Sequence, residues 1–231
     1  MKIRLAAALA VIPPLVSLPL ATQAHTNYST FYPLEWPVGS NVNYKIDDNV
    51  PTGSVRTSIE AGLANWSDLA SGRGPAFTLT GEVAGNNDFE ACDNTFNKIY
   101  FTEDLATALN EGDAPETLLG VVDLCYGPPP LQSITKFQIS FERTPEINGA
   151  NGTWYSGAQE VPNNQWDLRS IVTHEAGHAT GFLGHFTDAE ACPNPLTTEW
   201  ETMCYGTGLL IGTRILRTLD NHDLHTIGSA Y

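Results

Sequence analysis

Positive charge is scarce in this chain: 11 lysines and arginines stand against 26 aspartates and glutamates, for a formal net charge of −15 over 231 residues. So acidic a surface repels phosphate backbones and anionic lipid, so neither nucleic acid nor a membrane is an expected partner. Surplus like charge also favours solubility, and a monomer is expected. Cysteine is scarce as well. The four present, Cys92, Cys125, Cys192 and Cys204, include no CxxC pair, which argues against a thiolate metal site. Internal repeats and low-complexity tracts are missing, and past the first two dozen residues no apolar run is long enough to suggest a membrane helix.

The one apolar run lies at the amino terminus. Lys2 and Arg4 precede residues 5–20, a stretch broken by Pro13, Pro14 and Pro19 and therefore too short and too kinked to span a bilayer. This arrangement predicts a secretory signal peptide over residues 1–24, with cleavage after Ala24 and a secreted product. Residues 25–231 would form one domain with a full core. Losing Lys2 and Arg4 but no acid makes that product two units more negative than the full chain. Export to an oxidising compartment predicts disulfides, and of the three pairings we expect Cys92 with Cys125 and Cys192 with Cys204, each closing a local loop.

Strands are predicted at residues 41–47, 76–81, 97–102, 118–126 and 134–142, where apolar and β-branched residues alternate or cluster. An amphipathic helix over 54–70 follows from Val55, Ile59, Leu63, Trp66 and Leu69, with Ser54 as N-cap. Proline, glycine and asparagine mark 144–164 as a loop. Asp167 is placed to cap a second helix that carries Leu168, Ile171 and Val172 and ends near Gly181. A last helix over 219–231 is suggested by Leu224, Ile227 and Tyr231. The sum is an α+β domain with a mixed sheet.

Half of the six histidines fall within twelve residues, "HEAGHATGFLGH", from His174 to His185. Residues four apart on a helix share a face, so His174 and His178 can aim their imidazoles at one point. Two neutral imidazoles suit a zinc ion, and Glu175 can then take a proton from a water activated by the metal. Two histidines on an ordinary helix face are the bland alternative; Glu175, Gly181 and a third histidine in the same stretch weigh against it. A catalytic zinc has three protein ligands and an open position, and a left-handed turn at Gly181 would bring His185 back as the third.

These residues resemble the metzincin zinc peptidases, whose pattern is HExxHxxGxxH followed by a Met-turn. His174, Glu175, His178 and Gly181 match position by position. His185 stands one residue late, and Gly184 occupies the family's ligand position, so the resemblance implies a bulged turn with His185 as ligand and Asp188 as rival. Met203, in "ETMCYG", is placed as the Met-turn methionine. "FYPLEWPVGSNVNYKI", "SIEAGLANWSDL" and "RTLDNHDLHTIGSAY" look like the family's entry strand, first helix and closing helix, so the likeness covers most of residues 25–231.

The resemblance implies a metzincin-like α+β domain. Its mixed, mostly parallel twisted sheet would have an antiparallel edge strand, "LLGVVDLCY", that pairs with an extended protein or peptide substrate, beside an active-site helix and a C-terminal helix. Tyr205 matches the astacin-like branch, where a tyrosine at this offset donates to the oxyanion; the matrixin-like branch tends to have proline there. The matrixins' structural zinc is not expected, since only His25, His222 and His225 remain. Acidic segments near Asp88 and Asp93 are candidates for Ca2+. The expected function is a secreted zinc (Zn2+) endopeptidase with Glu175 as general base. A catalytically silent protein-binding domain and a zinc hydrolase of a non-peptide substrate are the alternatives, the first opposed by the intact Glu175. No prodomain is visible, since few residues separate Ala24 from the first predicted strand.

Overall fold

The computed structural model describes residues 2–8, 35–67, 74–85, 92, 95–103, 105, 118–128, 133–147, 150–181, 202–203, 217–219, 223–224 and 227, with the backbone alone at 2–8, 118, 146–147 and 150. Six strands form the main sheet: β1 (Lys2–Ala8), β2 (Asn41–Asp47), β3 (Ala76–Val83), β4 (Asn97–Thr102), β5 (Leu118–Tyr126) and β6 (Ile134–Glu142). Their spatial order is β1-β5-β6-β4-β2-β3. The pairs β2/β3, β2/β4 and β4/β6 are parallel, and β5 runs antiparallel to both β6 and β1. Two helices, α1 (Ser54–Ser67) and α2 (Leu168–Ala179), complete an α+β domain with a mixed, mostly parallel sheet.

Register explains which side of the sheet the helices cover. Ile46, Ile99, Ile139 and Val122 are lateral neighbours across β2, β4, β6 and β5, so their side chains share one face. All four join the core cluster together with Ile59, Leu63 and Trp66 of α1 and Leu168, Ile171 and Val172 of α2. One position along, Lys98, Gln138 and Asp123 form the matching row on the opposite face. That row is buried too, and it is polar: Lys98 Nζ lies 2.9 Å from Asp47 Oδ2, and Gln138 donates to Tyr100 Oη. Burial on both faces is why the alternation in these strands is apolar against paired polar rather than apolar against solvated.

Strands β2, β4, β5 and β6 have the predicted bounds, and β3, expected over 76–81, runs on to Val83. Four further expectations change. The predicted loop over 144–164 contains short ladders, β7 (Glu146–Ile147) with β8 (Ala150–Asn151), and β9 (Thr153–Tyr155) parallel to β10 (Gln165–Asp167). Ser54 is helical rather than an N-cap, its hydroxyl being engaged with Ser156 Oγ. Of the helix expected over 219–231, Leu219 is not helical whereas Asp223, Leu224 and Ile227 are, and the remaining positions lie outside the described residues. Lastly, β5 is not the rim of the sheet. Lys2–Ala8, expected to lie outside the fold, pairs along its outer side because an exposed strand edge offers unpaired amides and carbonyls to any extended segment within reach.

The disulfide Cys92–Cys125 is present, with Cα atoms 4.9 Å apart, and ties the segment before β4 to the end of β5. Closing a loop over a separation of 33 residues contributes about 4 kcal/mol in the loop-entropy picture. Cys192 and Cys204 lie outside the described residues, as do Asp88 and Asp93. Among the described residues no helix is long and apolar enough to cross a membrane.

Candidate active site

Helix α2 carries the motif, and its position is fixed at both ends. At the start, Asp167 accepts from Ser170 N at 3.1 Å and from Ser170 Oγ, as an N-cap should, and it also receives Arg217 Nε at 2.7 Å and Nη2. The cap is thereby a buried ion pair between residues 50 apart in sequence, with Arg217 spending a further bond on Gly157 O. In the middle, Trp66 Nε1 of α1 donates to Thr173 O at 2.7 Å, and Gly62 lets the two helices cross closely: a Cβ there would meet Val172 Cγ1 at 2.5 Å. At the end, Trp36 Nε1 donates to Ala179 O, and Gly181 turns the chain with φ 105°. That left-handed turn is the one expected at Gly181.

His174, Glu175 and His178 are fully buried on this fixed helix. The two imidazoles stand edge to face with ring centroids 5.0 Å apart, as the i, i+4 spacing predicts. His174 Nδ1 lies 2.7 Å from Thr202 O. A carbonyl can only accept, so Nδ1 carries the proton and Nε2 is left with its lone pair, the arrangement a metal-ligating imidazole needs. Burial pushes His174 down to about 4, outweighing the opposing pull of that hydrogen bond, so the ring is neutral near pH 7.

The neighbouring residue Met203 is fully buried beneath the helix. A Cβ on Gly177 would fall 2.3 Å from Met203 Sδ and 2.7 Å from Trp66 Cζ2, so glycine is what allows the methionine to pack directly against this helix beside His178 in sequence. The turn itself is held by Asp223, which accepts from Thr202 N at 2.8 Å and from Met203 N at 3.3 Å. A chain of contacts thus runs from Asp223 through the 202–203 backbone to His174 Nδ1. Sequence reasoning had no signal for Asp223 or for Arg217, because both act on residues 20 or more positions away.

Glu175 is the exception in this well-bonded region. Its side chain is fully buried, yet neither carboxyl oxygen has a hydrogen-bond partner among the described residues. Burial pushes its carboxyl well above the usual carboxylate range. Gly120 of β5 faces it: a Cβ there would be 3.0 Å from Glu175 Cγ and 3.1 Å from Oε1. A buried bare carboxyl is costly unless a cation or water completes it, and the donor set of two imidazoles beside it fits a zinc ion.

Among the described residues no group of three His, Cys, Asp or Glu side chains could hold a metal. The expected third ligand His185, its rival Asp188, the adjacent Gly184 and the expected oxyanion donor Tyr205 all lie outside the described residues. So the structure brings together His174, Glu175, His178 and Met203 and does not describe the rest of the expected site. Compared with known proteins, the chain matches no family model and no curated protein.

Proposed function

We propose that this chain is a secreted zinc endopeptidase with a metzincin-like catalytic domain over residues 25–231. The observation that carries the reading is the bare Glu175 carboxyl, buried on the same helix as His174 and His178, whose rings are in contact. His174 and His178, with His185 as third ligand, would hold the ion. When bound, zinc lowers the pKa of a water to about 7 and polarises the carbonyl under attack.

Everything else is done by the chain. Thr202 O keeps His174 in the tautomer that presents Nε2. A Glu175 oxygen takes a proton from the attacking water as its oxygen bonds to the peptide carbonyl carbon. The same carboxyl then delivers that proton to the departing amide nitrogen as the C–N bond breaks, leaving a carboxylic acid and an amine. Tyr205 would supply a neutral donor to the carbonyl oxygen as negative charge builds there. Gly120 keeps β5 close enough to Glu175 for a peptide lying along the sheet to reach it.

Incubation of the zinc-supplemented protein with unfolded casein, with and without a chelator, tests this directly. Cleavage that the chelator stops and added zinc restores is expected; no chelator-sensitive cleavage overturns the reading. Elemental analysis of two variants then decides the third ligand. His185→Ala should lose the bound zinc and Asp188→Ala should keep it.

A further inference from the structure

The outer side of β5 is occupied by the chain's own amino terminus. Lys2–Ala8 runs antiparallel to it over seven residues, from Lys2 opposite Cys125 to Ala8 opposite Leu118. The segment contains no proline, so every residue in it can donate to a ladder; the first proline follows at Pro13. Ala7 stands opposite Gly120, the residue whose α-carbon lies against Glu175, and the register slips between Ala7 and Ala8 at that point. An extended chain in this position therefore runs one strand spacing, about 5 Å, from the strand that lies against the bare carboxyl. A strand edge can hold one partner at a time, since each outward amide and carbonyl bonds once along the ladder.

We propose that Lys2–Ala8 is an internal competitor for the peptide-binding edge of β5, closing the full chain to other extended peptides until that segment is released. This rests on the peptidase reading for its consequence but not for its geometry. On that reading the segment also keeps the domain from cutting early, because it fills the edge along which a substrate would pair. Binding in cis is favoured by effective concentration, which for a tethered segment reaches the millimolar range and so outcompetes a free peptide of similar sequence at lower concentration.

The test uses the full chain throughout. In an antiparallel ladder with a neighbour on each side, successive amides point alternately to one neighbour and the other. In the wild-type chain, hydrogen exchange should therefore show both alternating sets of β5 amides protected; one set exchanging at the rate of an exposed strand overturns the proposal. Leu5→Pro/Ala6→Pro removes two adjacent donors, one of which must face β5. In that variant the outward set should lose protection by about ten-fold or more, with β4 and β6 unchanged. A fluorescent synthetic peptide of sequence KIRLAAA should bind the variant and not the wild type, and equal binding to both overturns the competition. Casein cleavage should rise about ten-fold in the variant. Freed amides and peptide binding with no cleavage by either protein would leave the competitor in place and remove the peptidase reading instead.

Discussion

Asp167 and Glu175 are two carboxylates eight residues apart, one capping α2 and one within it, both wholly excluded from solvent. Asp167 receives four bonds, from Ser170 N and Oγ and from Arg217 Nε and Nη2. Glu175 receives none from any described residue. The first is what a folded protein does with a buried charge: it surrounds the charge with donors until desolvation is offset. The second is a cost carried without visible compensation, and buried unsatisfied groups in an otherwise well-bonded region mark places where chemistry rather than packing set the residue. Asp223, with two backbone amides, belongs to the Asp167 kind.

The sharpest way to break this comparison is Glu175→Gln. The amide keeps size and polarity but cannot accept a proton, so casein hydrolysis should fall by about 10³-fold or more while zinc content stays at wild-type level. Activity within a few-fold of wild type would put the general base elsewhere. Asp167→Asn should do the reverse. It breaks a buried ion pair and weakens a cap, costing about 3 kcal/mol in urea unfolding, and the midpoint rather than the slope should move. If Asp167→Asn proved as benign to stability as Glu175→Gln, the saturated bonding around Asp167 would not be what holds the helix.

A smaller effect sharpens the same contrast from the substrate side. Tyr205→Phe removes a donor useful only as charge develops, so turnover should drop by about 10² with little change in KM. Unchanged turnover would reduce Tyr205 to a pocket wall. The gentlest test follows pH in metal-free protein. Glu175 has a folded pKa raised above its unfolded 4.5, so its contribution to stability is full below pH 4.5 and is lost as pH rises towards the folded value. Glu175→Gln does not titrate. The stability of the variant relative to wild type should therefore grow by about 1.4 kcal/mol per pH unit above 4.5, measured by urea melts at successive pH values. A flat difference would mean that the carboxyl has a partner after all.

Much of this was legible from local pattern. Four strands have the predicted bounds because alternation and β-branched clustering are properties of consecutive residues. Asp167 caps α2 and Gly181 ends it, as a capping side chain and a residue free of Cβ strain must in those places. The pairing of Cys92 with Cys125 followed from loop closure. Misreadings arose where a residue's partner is distant. Ser54 looked like a cap until Ser156, 102 positions away, claimed its hydroxyl, and 118–126 looked like an edge until residues 2–8 lay beside it.

The sequence by itself determined that His174, Glu175 and His178 share one stretch of one helix, because the 3.6-residue period of a helix needs nothing beyond the chain's own backbone hydrogen bonds. Only the tertiary structure decided what those side chains meet. Thr202 O reaches His174 across 28 positions, Arg217 reaches Asp167 across 50, and Gly120 of β5 comes against Glu175 while no donor of a described residue does. Such contacts depend on where the sheet sets the helices down, which is a balance of core packing over the whole domain and is written in no short run of residues.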